Sequence, residues 1–318
     1  MTDKAAVLYM VIPCYNEEAV LGETSRRLLD MFSDMRKQDL IDEKSKIVFV
    51  NDGSKDNTWG IISELAEKHT EIRGIKLAKN AGHQNALLAG LMTVKSECDC
   101  AISIDADLQD DIDVIPEFVK KFREGCDVVY GVRNSRKTDT FFKRNTALAF
   151  YKIMTMLGVN IVPDHADYRL LSRRALESLS EFSEVNLFLR AMVPLLGYKS
   201  DKVYYERHER FAGESKYPLK KMLAFAMDGI TSFSISPIRF ISAFGALVCL
   251  LAVAAFIYTL CAKFLGHTTG GWASLMASIW FLGGVQLLSV GLIGEYIGKI
   301  YKEVKRRPRF IIEEYKKE

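Results

Sequence analysis

Two stretches near the carboxyl end carry no charged residue, 240–262 and 268–294. Each exceeds the roughly 20 apolar residues with which a helix crosses a bilayer. A buried core helix would account for one such stretch. Two of them, joined only by the short connection from Lys263 to His267, read as a pair of membrane helices. Basic residues lie outside the pair: Lys220, Lys221 and Arg239 before it, and Lys299, Lys302, Lys305, Arg306, Arg307 and Arg309 after it. Excess lysine and arginine on flanking segments marks the cytoplasmic side, so both termini are expected in the cytoplasm of a multi-pass inner-membrane protein. Just before the pair, Leu219, Met222, Leu223, Ala226, Ile230 and Phe233 recur at helical spacing. This is the pattern of an amphipathic helix lying on the membrane surface, or of one packed on a soluble domain. The expected organisation is a soluble domain over 1–215, the amphipathic helix over 216–236, the two spans over 237–298 and a basic tail over 299–318.

The soluble part alternates strand and helix signals. Strands are expected over 8–13, 46–51, 73–77, 100–104 and 128–132, with helices over 17–37, 56–69, 84–95 and 113–124 between them. This order argues for right-handed βαβ units and a mostly parallel, Rossmann-like α/β sheet. After it come a helix over 146–157, a short strand over 168–171 and helices up to Leu196. A formal net charge of only +3 implies no general affinity for nucleic acid. The six cysteines include no C-x-x-C spacing, so buried free thiols in a reducing compartment are expected. No long apolar run follows the charged start, so no cleaved signal peptide is expected.

Open α/β sheets bind ligands beyond the carboxyl ends of their strands. Four segments here follow expected strands: Pro13 to Glu18, Asn51 to Asp56, Lys79 to Gln84 and Asp105 to Asp110. Any one of them is also ordinary turn and helix-cap chemistry; Lys79 could be a solvated charge and His83 a satisfied polar side chain. The fourth segment says most. Asp105 and Asp107 flank one residue at the end of an apolar strand, so their side chains point the same way in an extended segment. Together they suit a hard divalent cation, Mg²⁺ or Mn²⁺, that bridges to a diphosphate.

These segments resemble a known group. Pro13-x-Tyr15-Asn16-Glu17-Glu18, Asn51-Asp52-Gly53-Ser54-x-Asp56, Asn80-x-Gly82-x-Gln84, Asp105-x-Asp107-Leu108-Gln109, Asp167-Tyr168-Arg169-Leu170 and Arg210-x-x-Gly213-x-Ser215-Lys216-Tyr217 are similar to the motifs of family-2 glycosyltransferases with a GT-A fold. Within that family the chain looks like the polyprenyl-phosphate glycosyltransferases, whose relatives include the bactoprenol glucosyltransferases and dolichol-phosphate mannose synthases. The two spans followed by Gly294-Glu295-Tyr296-Ile297-Gly298-Lys299 extend the resemblance over nearly the whole chain. Ala166, where many relatives carry Gly, is a small departure.

The resemblance implies roles for these positions. Pro13, Tyr15, Glu17, Asp52, Lys79, Asn80, Gly82, Gln84, Asp105 and Ala106 would bind a nucleotide sugar, with Asp52 at the uridine. Asp107 would hold the Mg²⁺ or Mn²⁺ on the diphosphate. Asp167 would be the candidate base, and Arg169, Arg210, Ser215 and Lys216 would hold the acceptor phosphate. For Arg210 and Lys216, attraction to anionic lipids is the alternative. The expected reaction is an inverting transfer of one hexose, from UDP-glucose first among the candidates, to undecaprenyl phosphate at the cytoplasmic membrane face. The glycines at 283, 284, 291, 294 and 298 would let the helices pack against neighbours in a homo-oligomer. A processive polysaccharide synthase is the enzymic rival, but the chain has no Q-x-x-R-W and two helices are few for a channel. A non-catalytic nucleotide-sugar-binding scaffold is the other rival, set against intact carboxylates at Asp105, Asp107 and Asp167. The topology has its own test: thiol labelling from outside intact cells is expected to reach a cysteine introduced at Thr269 and to miss one at Lys316. The reverse pattern would overturn the orientation.

Overall fold

The computed structural model describes residues 4–134, 165–185, 188–207, 236–264 and 271–317. The expected helix over 146–157 and nearly all of the amphipathic segment over 216–236 lie outside them, as do Arg210, Ser215 and Lys216. Strands β1 (Leu8–Cys14), β2 (Lys46–Asn51), β3 (Ile72–Leu77) and β4 (Cys100–Ser103) form the parallel heart of one sheet, in the order β4-β1-β2-β3. Every residue of β1 and β4 is buried, which is why they read as unbroken apolar runs. Helices α1 (Leu21–Lys37), α2 (Thr58–Lys68) and α3 (His83–Val94) connect them.

Beyond β4 the sheet changes direction. Strand β6 (His165–Ser172) runs antiparallel to β4 and to β5 (Val128–Arg133), and β7 (Ser200–Tyr205) lies parallel to β5 at the edge. Helix α4 (Ile115–Arg123) precedes β5, and α5 (Arg173–Ser180) and α6 (Leu189–Leu195) follow β6. At the far edge β8 (Ile312–Lys316) pairs antiparallel with β3. Four of the seven pairings among the described strands are parallel, so the sheet is mixed rather than mostly parallel.

Two strands had no expectation behind them. In β7 only Val203 and Tyr205 face inward, too few to show an alternation against Asp201 and Lys202. In the expected tail, β8 is short and charged, and only the open edge of β3 makes a strand of it. One helix starts late. Residues 17 and 18 do not open α1, because the Glu17 amide donates to Thr58 Oγ1 (2.9 Å) and the Glu18 amide to Asp56 Oδ2 (3.2 Å).

The carboxyl-terminal helices, α7 (Ser236–Phe264) and α8 (Trp272–Val304), form a separate unit, while β8 belongs with the sheet. Among the described residues one helical stretch, Phe281–Val304, is long and apolar enough to cross a membrane, with a mean hydropathy of 1.4; Pro237–Val248 is a shorter apolar stretch. Cys14, Cys98, Cys100 and Cys126 are buried free thiols, as expected, but Cys261 is exposed.

Helix α3 sits tightly on the parallel strands. A Cβ on Gly90 would lie 2.3 Å from Val11 Cγ1 and 2.8 Å from Val50 Cγ2. A Cβ on Gly22, in the first turn of α1, would meet nothing within 4 Å. Gly90→Ala is therefore expected to destabilise the protein by about 1–2 kcal/mol, overpacking outweighing the gain in helix propensity. Gly22→Ala is expected to be neutral or stabilising by up to ~1 kcal/mol. Thermal midpoints of the two variants check this, and an equal effect of both would contradict the packing account.

Candidate active site

The carboxyl edge of the parallel strands is built by loops that hold one another. After β1, Asn16 takes a left-handed backbone (φ 55°). Its amide donates to Ser54 Oγ (3.0 Å), and its Oδ1 accepts from the Lys55 amide (2.8 Å). Glu18 accepts from the Asn57 amide (2.9 Å). These bonds tie the loop after β1 to the loop after β2. Pro13 is buried at the strand end, Tyr15 is exposed and Glu17 is half-buried.

The loop after β3 is tied in turn by Asp52. Its carboxylate accepts from the amides of Ala81 (2.6 Å) and Gly82 (3.0 Å), and its main-chain oxygen accepts from the Asn80 side chain (3.1 Å). Burial pushes the Asp52 carboxyl up, and the two amides oppose it. The closeness of the two loops explains Gly53. A Cβ there would stand 2.5 Å from the Asn80 nitrogen and 2.8 Å from the Lys79 carbonyl carbon, and its φ is +62°. Lys79 and Asn80 are exposed on this loop, with Gly82 half-buried.

Past β4 the chain turns at Ala106 and Asp107 rather than continuing extended, and Leu108 takes a left-handed backbone (φ 55°); Ala106 and Leu108 are buried, while Asp105 and Asp107 are half-exposed. The Thr24 hydroxyl donates to the Ala106 carbonyl (2.8 Å), and Asp107 Oδ1 accepts from the Gln109 amide (3.2 Å). Among the described residues no three His, Cys, Asp or Glu side chains cluster as metal ligands. The donor set on this edge is carboxylate oxygen, which suits Mg²⁺ or Mn²⁺ if a diphosphate and water complete the coordination. Asp110, three residues on, is buried and bonded to the Tyr205 hydroxyl (2.6 Å), with Arg133 at 3.6 Å. Burial pushes its carboxyl up to about 6.

The centre of the site is a charged cluster. Arg169, on β6, is 1% exposed, and its guanidinium donates to Asp167 Oδ1 and to the Leu189 carbonyl (3.1 Å). It is thus held inside the protein, whereas the resemblance implied that it would hold the acceptor phosphate. Asp167 Oδ2 meets Arg190 (3.3 Å) and His83 Nε2 (3.7 Å), and His83 Nε2 also lies 3.5 Å from Asp105 Oδ1. Burial acts to raise the Asp167 carboxyl, but Arg190, His83 and Arg169 outweigh it and hold it well below the carboxylate range. A carboxylate so stabilised is a poor proton acceptor, which counts against the role of base. Burial acts to lower the His83 imidazole, yet its bond to Asp167 and the charge of Asp105 raise it to about 9. Burial also pushes the Asp105 carboxyl up, with His83 opposing. Gln84, expected at the donor, accepts from the Leu189 amide (3.1 Å).

The structure therefore gathers Asp52, Gly82, Gln84, Asp105, Asp107 and Asp167 along one edge. It adds His83, Arg190 and Asp110. His83 stands inside a segment read as a loop motif, and its carboxylate partners, Asp105 past β4 and Asp167 on β6, come from other parts of the chain. Arg190 is a lone cation in an apolar helical run, and no sequence pattern set it apart.

Comparison with known proteins follows the same division of the chain. Residues 9–180 match glycosyl transferase family 2, and residues 236–300 match the GtrB C-terminal hairpin. An uncharacterized glycosyltransferase of Bacillus subtilis (strain 168), YkoT, is 56% identical over 98% of this chain and 93% of its own length. The prophage bactoprenol glucosyl transferase homolog of Escherichia coli (strain K12) is 38% identical over 97% of this chain and 99% of its own. The SfII prophage-derived bactoprenol glucosyl transferase of Shigella flexneri is 39% identical, covering 95% and 96%. Among solved structures, the mannosyltransferase PcManGT from Pyrobaculum calidifontis, in complex with GDP-Man and Mn²⁺, aligns over 96% of this chain and 88% of its own with 16% identity and a TM-score of 0.45.

The imidazole gives a pH signature. Its folded-state pKa, about 9, lies above the ordinary 6.5, so its stabilising charge is fully present below about 6.5 and is lost as the pH rises through 9. The thermal midpoint of the wild type should exceed that of His83→Gln near pH 6, and the gap should close between pH 6.5 and about 9. A gap that does not depend on pH would refute the charged pairing.

Proposed function

The chain belongs to glycosyl transferase family 2, and on that premise we propose that it moves one hexose from a nucleoside-diphosphate sugar to the phosphate of a polyprenyl carrier. UDP-glucose is the donor and undecaprenyl phosphate the acceptor in this reading, and the reaction runs at the cytoplasmic face of the membrane. One observation carries it: relatives named as bactoprenol glucosyl transferases align with the chain from the catalytic sheet through the helical hairpin, over at least 95% of its length. A polyprenyl chain stays in the bilayer, so its transferase needs an anchor that keeps the site at the interface. In this reading α7 and α8 both span, which places both termini in the cytoplasm.

The site's chemistry fits a direct displacement. The loops after β1, β2 and β3 would seat the base and ribose, with Asp52 fixing the loop that carries Lys79 to Gly82. Asp105 would face the sugar. Asp107 would hold a divalent ion whose contribution, when bound, is to offset charge on the departing diphosphate. An ionised oxygen of the acceptor phosphate attacks the anomeric carbon, and the bond from that carbon to the diphosphate breaks with its electrons passing to the β-phosphate oxygen. The anomeric configuration inverts. The second pKa of a phosphate monoester, about 6, leaves the nucleophile largely ionised at neutral pH. No base is needed, which agrees with an Asp167 already committed to three cations.

A single-turnover assay with radiolabelled UDP-glucose and undecaprenyl phosphate tests the proposal. One lipid-linked glucose per acceptor is the expected product. A growing polymer would favour the processive synthase, and binding without transfer the scaffold. Asp107→Asn is expected to slow transfer by roughly 100-fold, equivalent to about 3 kcal/mol of lost charge stabilisation, with the fold retained. Unchanged activity of that variant in the presence of EDTA would remove the metal from the mechanism.

A further inference from the structure

Two motifs meet at a residue that neither of them contains. Leu189, the first residue of α6, is held from both sides: its amide donates to Gln84 Oε1 (3.1 Å), and its carbonyl accepts from the buried Arg169 (3.1 Å). The next residue, Arg190, thereby comes to Asp167, with Nη2 3.3 Å from Oδ2. The two arginines on this carboxylate differ in one respect that decides their roles. Arg169 is sealed in, whereas the Arg190 side chain is 32% exposed. The sequence motif therefore supplies the structural arginine, and α6 supplies the one that a ligand can reach.

We propose that Arg190 is a phosphate-binding residue of the transfer site and that Asp167 is the positioning residue that aims its guanidinium. The inference rests on the polyprenyl-phosphate reading for the identity of the acceptor, but not for the chemistry of the contact. A guanidinium presents a planar fork of donors suited to phosphate oxygens, and about a third of this side chain is exposed to a ligand. Its neighbours suit an anion as well. His83 contacts the same carboxylate oxygen and is 43% exposed, so two partly exposed cationic side chains converge beside Asp105, where the sugar would lie. The phosphate could be that of the acceptor lipid or the diphosphate of the donor. In the polyprenyl-phosphate reading the phosphate is the acceptor's, and separate affinities for the two ligands distinguish the sources.

Affinities measured separately for undecaprenyl phosphate and for UDP with Mn²⁺, on the full chain in detergent micelles, decide the matter. Arg190→Ala leaves Asp167 paired with Arg169 and His83, so the fold is expected to survive, as a thermal melt checks. It should weaken undecaprenyl phosphate binding about ten- to a hundred-fold and leave UDP binding within about two-fold. Arg190→Lys should recover part of the loss, since it keeps the charge and loses the fork. Asp167→Asn leaves the buried Arg169 without its charged partner, so its fold is checked by the same melt; in the folded protein it should weaken the same ligand, and adding it to Arg190→Ala should lower that affinity little further. A loss confined to UDP would keep the phosphate contact and assign it to the donor. No change in either affinity would overturn the inference. If the wild type fails to bind undecaprenyl phosphate at all, the acceptor reading fails, and the UDP arm alone still decides whether Arg190 meets a phosphate.

Discussion

A guanidinium buried in the sheet organises this site. Arg169 is among the largest fully buried side chains, and a buried charge without a partner is strongly unfavourable. Asp167, two residues away on the same strand and therefore on the same face, neutralises it. The Leu189 carbonyl takes another of its hydrogens, which fixes the start of α6. Once Asp167 is committed to Arg169, its second oxygen is the place where Arg190 and His83 converge. The arrangement gains in precision what it gives up in basicity. A carboxylate surrounded by three cations serves better as an anchor than as a proton acceptor.

The outer loops depend on the same kind of constraint at smaller scale. Asp52 uses both carboxylate oxygens on the amides of Ala81 and Gly82, and Asn16 bonds across to Ser54 and Lys55. Loops that would otherwise move separately become one rim. The rim closes only because Gly53 has no side chain to place against the Lys79–Asn80 peptide. Preorganisation of this sort reduces the entropy that a ligand must give up to be held.

The chain thus joins two kinds of structure. Its sheet places polar groups at one edge, and its last third presents two long, largely apolar helices. After α8 the chain returns to the sheet, where β8 adds to β3 and the Ala78 amide donates to the Ile311 carbonyl (2.9 Å). That bond lies one residue before Lys79, so the end of the chain braces the loop that Asp52 holds.

The sequence by itself determined the parallel strands β1 to β4 and the helices between them, because their periodicity comes from burial on two faces and needs only neighbouring residues to be read. It also pointed to the segments that line the edge, since Asp105-Ala106-Asp107 directly follows the buried strand β4. Only the tertiary structure decided what the side chains do there. Arg169 reads as a ligand-binding arginine in its motif, yet burial makes it structural. Arg190 has no motif, yet Gln84 and Arg169 place it at the surface of the site. The strands β7 and β8 were likewise illegible, because a short, charged segment becomes a strand only when an edge is there to pair with it. Roles that depend on burial and on partners distant in the chain are properties of the packed molecule, and no local pattern encodes them.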